Sequence, residues 1–181
     1  MIDPAGQKDG TRLWVGLLTV TSAATTLVLA CAAPFSSLAA IAATRMSARS
    51  GYALMGLTWV VSQIIGFGVL DYPRDPRTFA WGFAMLTAAL AAMAAARQGN
   101  LMVADRGPIL RPATAFGMGF IGYKLTLLAW SFVLGGMHVA ASPYWTARQF
   151  GREALIFAAL VSLYQGLVAA GVPAPRRVHI V

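Results

Sequence analysis

Three observations in this sequence predict an all-α integral membrane protein, a compact bundle of six transmembrane helices with the second one short. Of the 181 residues, 58% are hydrophobic and only 11% are charged, where a soluble domain carries about 25% charged residues. The apolar residues fall into runs that approach or reach the length needed to cross about 30 Å of hydrocarbon, and short segments holding the prolines and most of the charges separate them. The basic residues are also shared unevenly. In the six-helix reading one side receives nine, Lys8, Arg12, Arg45, Arg49, Arg97, Arg106, Arg111, Arg176 and Arg177. The other receives four, Arg74, Arg77, Arg148 and Arg152. Lys and Arg collect in cytoplasmic loops, so a multi-pass protein of a bacterial inner membrane with both termini cytoplasmic is expected. If the second run does not cross, the split becomes six against seven and the bias vanishes.

In chain order, residues 1–12 form a polar tail and 13–33 the first span. Thr19, Thr21, Ser22, Thr25 and Thr26 in that span can bond to its own helix or to a neighbour, which places it toward the bundle interior. Val28-Leu29-Ala30-Cys31 is loosely similar to a lipoprotein cleavage box, but the run is long for a signal segment and more apolar sequence follows at once, so no cleavage is expected. Pro34 breaks the run, and the second span, 35–48, is Ala-rich and short. The third span, 51–70, contains Gln63 and ends at the polar turn Asp71-Tyr72-Pro73-Arg74-Asp75-Pro76-Arg77, whose prolines forbid a continued helix. The fourth span is 78–96, and a cytoplasmic loop over 100–112 is broken by Gly107-Pro108. The fifth, 113–137, contains Gly117, Gly119, Gly122 and Lys124. An outer loop over 139–151 carries Pro143-Tyr144-Trp145, and the sixth span, 153–172, leads into a cytoplasmic tail, 173–181. The chain thus reads as a single transmembrane domain, 1–181.

Small residues recur four apart at Ala39 and Ala43, at Ala88, Ala92 and Ala96, and at Ala91 and Ala95. Such faces let helices approach closely, either within this bundle or against a separate membrane subunit.

The chemistry excludes more than it assigns. No Ser/His/acid set, paired membrane carboxylates, phosphate-cradling glycine loop or HExxH appears, and the six acids fall in loops or at span ends. An enzyme or an ion-driven transporter normally shows more. The net charge of +8 is set by topology residues and not by a basic patch with interleaved aromatics, so no nucleic acid partner is expected. One cysteine rules out an internal disulfide and a zinc cluster. Lys124, the only charged side chain inside an apolar run, costs roughly 3 kcal/mol to insert. It is expected to face the bundle and bond a polar neighbour, with Gln63 and Gln165 as candidates. The predicted outer surface gathers Cys31 with Phe35, Phe67 with Tyr72 and Trp81, and His138 with Tyr144 and Trp145. An interfacial aromatic belt explains the Tyr and Trp residues. It explains Cys31 and His138 less well, because thiolate and imidazole are transition-metal ligands.

Six helices, termini inside, small-residue faces and outer loops over a pocket resemble a substrate-binding S-component of energy-coupling-factor vitamin transporters. Within that group, the run Trp59…Gln63…Gly66-Phe67…Leu70-Asp71-Tyr72-Pro73…Thr78…Ala80-Trp81-Gly82 is similar to the small proteobacterial cobalamin transporters. The resemblance implies capture of a vitamin, cobalamin favoured, in an outward-facing pocket, with no cofactor of the protein's own. It implies uptake either alone or beside a membrane scaffold subunit with an ATPase pair. It also implies a cysteine offered to the cobalt of a bound cobalamin, for which Cys31 is the candidate; His138 is the second candidate metal ligand by its imidazole chemistry. The ligand-binding set expected on these grounds is Cys31, Phe35, Gln63, Phe67, Tyr72, Trp81, Lys124, His138 and Trp145. One departure is that the Ala-xxx-Ala of the family's first helix is missing from LWVGLLTVTS. The alternative is a non-catalytic accessory subunit of a larger energy-transducing membrane complex, for which Ala-rich faces and an aromatic belt suffice.

Overall fold

The computed structural model describes residues 15–16, 18–19, 33–107 and 109–169, and every element among them is a helix. These are α1 (Phe35–Arg45), α2 (Ala48–Gly68), α3 (Pro76–Met102), α4 (Leu110–Leu134), the single turn α5 (Met137–Ala140) and α6 (Pro143–Ala169). Of the predicted first span, Val15, Gly16, Leu18 and Thr19 are described as helical, and Leu18 and Thr19 are buried. Both tails and Cys31 lie outside the described residues.

Among the described residues, α2, α3 and α4 are long and apolar enough to cross a membrane. Helix α6 has the length, 27 residues, but carries Arg148, Arg152 and Glu153 in its first half. Helix α1 is different in kind. Its 11 residues rise about 16 Å, roughly half a hydrocarbon core. Every residue from Phe35 to Ala43 is buried. It is a core helix.

Short as it is, α1 reverses the chain. Its first turn meets α6 at Glu153, and its last residue, Arg45, lies over the ring of Tyr164, 4.6 Å from its centre. The two helices therefore run parallel, and α2 returns in the opposite sense. One end of the bundle holds the starts of α1 and α6, the 69–75 turn and the end of α4. The other end gathers Arg45, Arg49, Arg97, Arg106 and Arg111, which fall on one side whether or not the second run crosses. There Asn100 Nδ2 donates to the Ala43 carbonyl at 3.1 Å and its Oδ1 accepts from Arg111 Nε at 3.1 Å. That satisfies a carbonyl in the last turn of α1, which its own helix leaves open.

The α3–α4 pair is built from small residues. Gly122 lies so close to α3 that an added Cβ would stand 2.7 Å from the Ala95 methyl and 3.0 Å from the Ala91 carbonyl, and Gly119 meets Ala96 and Ala92. Trp130 Nε1 donates to Thr87 Oγ1 at 2.8 Å, joining the same two helices nearer the opposite end. Ala39, Ala88, Ala92 and Ala96 are fully buried and Ala43 nearly so. The alanine stripes are thus covered by helices of the same chain, and the packing use is the one realised.

Helix boundaries depart from expectation at three places. Helix α3 runs to Met102, through the start of the predicted 100–112 loop. Helix α4 stops at Leu134, before Gly135 and Gly136, whose φ of 83° and 91° only glycine adopts readily. The predicted outer loop 139–151 is largely helical, because α6 already starts at Pro143. A proline is well suited to a first helical position, where its missing N–H is not needed.

Candidate ligand-binding site

The glycines and aromatics after the third predicted span shape one wall of a cavity. As α2 ends, Val69 and Leu70 both donate backbone N–H bonds to the Ile65 carbonyl, and Tyr72 N donates to Gly66 O at 3.0 Å. Asp71 takes φ 51° to make this turn, a left-handed conformation that aspartate tolerates better than most residues. The Tyr72 ring folds back over Gly66, where a Cβ would clash at 2.7 Å. One turn earlier Gln63 Oε1 lies over Gly82, 2.8 Å from where a Cβ would stand, and its Nε2 donates to Ser62 Oγ at 3.3 Å. Glycine at 66 and 82 is what lets these two side chains lie flat.

The opposite wall comes from α1, α4 and α6. Phe35 at the start of α1 and Tyr123 on α4 face each other with ring centres 5.9 Å apart. Helix α6 brings Gln149, Arg152 and Glu153. The Glu153 side chain is 1% exposed. Its Oε2 accepts from the backbone N–H of Ser36 at 3.0 Å, and its carbonyl accepts from Ser37 Oγ at 2.8 Å. A carboxylate there satisfies an orphan donor of α1 and sits at the positive end of the helix dipole. Between the walls is a cavity of about 200 Å³. Among the described residues, Ala33, Ser62, Leu70 and Met85 complete its lining.

Of the nine ligand-binding residues expected from the sequence, this cavity brings together Phe35, Gln63 and Tyr72. Cys31 lies outside the described residues. Phe67 stacks on Phe79 at 5.0 Å and meets Tyr72 edge-on, behind the cavity wall. Trp81 lies against Gly136. His138 is exposed on α5, and Trp145 is 48% exposed, edge-on to Tyr144 with Arg148 beside its ring. No group of three metal-ligating side chains occurs among the described residues. Lys124 is half-buried and makes no hydrogen bond with a described residue. Its expected partners stand elsewhere: Gln165 is exposed on α6, and Gln63 lines the cavity.

The residues that the sequence reading passed over are Tyr123, Gln149, Arg152 and Glu153. Glu153 in particular is buried and lies well inside α6, not at a helix end. A usable signal was Ser142-Pro143, which reads as a helix start and would have placed Gln149, Arg152 and Glu153 inside α6.

Asp75 caps α3, accepting from Thr78 N at 2.9 Å and from Thr78 Oγ1 at 3.0 Å. These bonds, the backbone one foremost, hold its carboxyl below the ordinary value of 3.8. Arg77 Nη2 donates to the Leu134 carbonyl at 2.9 Å, tying the same end of α3 to the end of α4. No family model, characterised protein or solved structure matches this chain.

Proposed function

We propose that this protein is a membrane-embedded uptake protein that captures a small, vitamin-class organic molecule in the cavity between α1, α2, α4 and α6. The observation that carries this reading is a cavity of about 200 Å³ with Gln63, Gln149, Arg152 and Glu153 around it, inside a bundle otherwise packed with apolar and small side chains. Binding sites for organic ligands are typically apolar with a few placed polar groups.

In this reading the cavity opens to the outer side of a bacterial inner membrane and the arginine-rich end faces the cytoplasm. The chain makes six crossings with α1 as the short second one, and import proceeds alone or beside a scaffold subunit with an ATPase pair. Cobalamin, the ligand the resemblance favours, is far larger than the cavity. It enters only if the 69–75 turn and the start of α6 move apart.

The test is uptake. Cells of a vitamin-auxotrophic bacterium expressing the chain should gain import of a labelled vitamin, and the purified protein should carry a small molecule detectable by mass spectrometry. Gln63→Ala together with Gln149→Ala should abolish both. A shifted visible spectrum of added cobalamin would identify cobalamin as the ligand. No uptake of any labelled vitamin and no co-purifying molecule would overturn the proposal in favour of the accessory subunit.

A further inference from the structure

We infer that Arg152 is the ligand-anchoring residue of this cavity and that the molecule it holds carries a carboxylate; this rests on the capture reading above. Arg152 and Glu153 are neighbours in sequence, yet they form no ion pair. Adjacent residues on a helix point about 100° apart and do not face each other. Glu153 turns to α1, where the Ser36 N–H holds it at 3.0 Å. Its carboxylate is therefore hydrogen-bonded by the start of a helix, with the Arg152 charge nearby but not paired to it.

Arg152 is left without a hydrogen-bonded counterpart among the described residues. It lines the cavity, its Nε is buried with no hydrogen-bond partner, and its guanidinium makes no bond to a described residue. An unmet donor on a charged group is costly in a low-dielectric site. The guanidinium offers a planar fork that fits a carboxylate with two parallel bonds. The remaining walls supply flat apolar surface from Phe35, Tyr72 and Tyr123. At about 200 Å³ the cavity lies below the roughly 300–1,000 Å³ of drug-sized ligand sites. The geometry thus selects a small, flat monocarboxylate.

The full-length protein in lipid nanodiscs is to be titrated with nicotinate, benzoate and 4-aminobenzoate, each beside its uncharged carboxamide. Inorganic phosphate is included as the other oxyanion. Binding is read by intrinsic fluorescence and by thermal unfolding. At least one acid should bind about tenfold or more tightly than its amide, with phosphate weaker. Arg152→Gln should erase that preference, and Arg148→Gln, at an exposed arginine one turn away, should keep it. If Arg152→Gln does not fold, Arg152→Lys keeps the charge and loses the Nε donor. It should then weaken the acid several-fold and leave the amide unchanged.

Acid and amide binding alike in the unmodified protein would overturn the inference while leaving capture intact. So would a preference that survives Arg152→Gln, acid binding unchanged in Arg152→Lys, or phosphate binding best. Failure of every acid to bind would also overturn it, and the uptake assay then decides separately whether capture itself stands.

Discussion

Asp75 and Glu153 are both carboxylates at the start of a helix, and they illustrate how differently two acids can be used. Asp75 lies at the surface and caps its own helix through Thr78. Glu153 is buried and serves a helix 117 positions away in sequence. The first use is legible in sequence, because Asp before Pro at a helix start is a known signal. The second is not, because nothing local marks a contact of that span. The depressed titration of Asp75 gives a prediction with a definite sign. Its contribution to holding the start of α3 is complete above pH 3.8 and fades as pH falls through its lower folded value. Hydrogen exchange at the Thr78 amide, corrected for the intrinsic rate, should therefore lose protection in acid. In Asp75→Asn, which keeps a capping oxygen, protection should stay level. Unchanged protection in the acid limb of the unmodified protein would contradict the assignment.

At the scale of elements, the sequence spoke most clearly where small residues recur. The alanines of α3 announced a face for close helix approach, and Gly119 and Gly122 of α4 are what meets it. The register decides which glycine matters. Gly122 stands against Ala95 and Ala91, whereas Gly117 has nothing within 4 Å of an added Cβ. Gly122→Val should force α3 and α4 apart and cost about 1–3 kcal/mol, the usual penalty for overpacking. Gly117→Val should cost much less. Thermal unfolding of the two variants in detergent checks the contrast, and equal melting temperatures would refute this packing. The start of α6 was less legible. Pro143-Tyr144-Trp145 looks like a loop with interfacial aromatics when read as composition, and like a helix start when Ser142 is read as a cap. That one choice concealed three cavity residues.

For the whole molecule, the all-helical class and the existence of apolar spans were legible from composition and run length. The placement of side chains around the cavity was only partly legible. Gln63 and Tyr72 signalled themselves as polar groups at the end of an apolar run. Lys124 drew attention by its charge, yet it stands apart from the cavity on α4. Periodicity identifies helices, but it does not tell which face of each meets which neighbour. Topology remains testable directly. In a Cys31→Ser background, single cysteines at Asp75 and Asp105 should label from opposite sides of the membrane, Asp75 from outside. Labelling of both from one side would eliminate the antiparallel path through α3.

The burial of α1 has a consequence for how the chain is made. An eleven-residue helix is too short and too brief an apolar signal to be handed to lipid as a span of its own during synthesis. It also has no face suited to lipid, since nine of its residues are buried. The partners that enclose it, Tyr123, Asn100 and Glu153, emerge from the ribosome 64 to 117 residues later than Ser36. Until then its open backbone donors and its serines have to wait in a wet or interfacial setting. The final seating of α1 therefore follows the emergence of α3, α4 and α6, although α1 precedes all three in sequence.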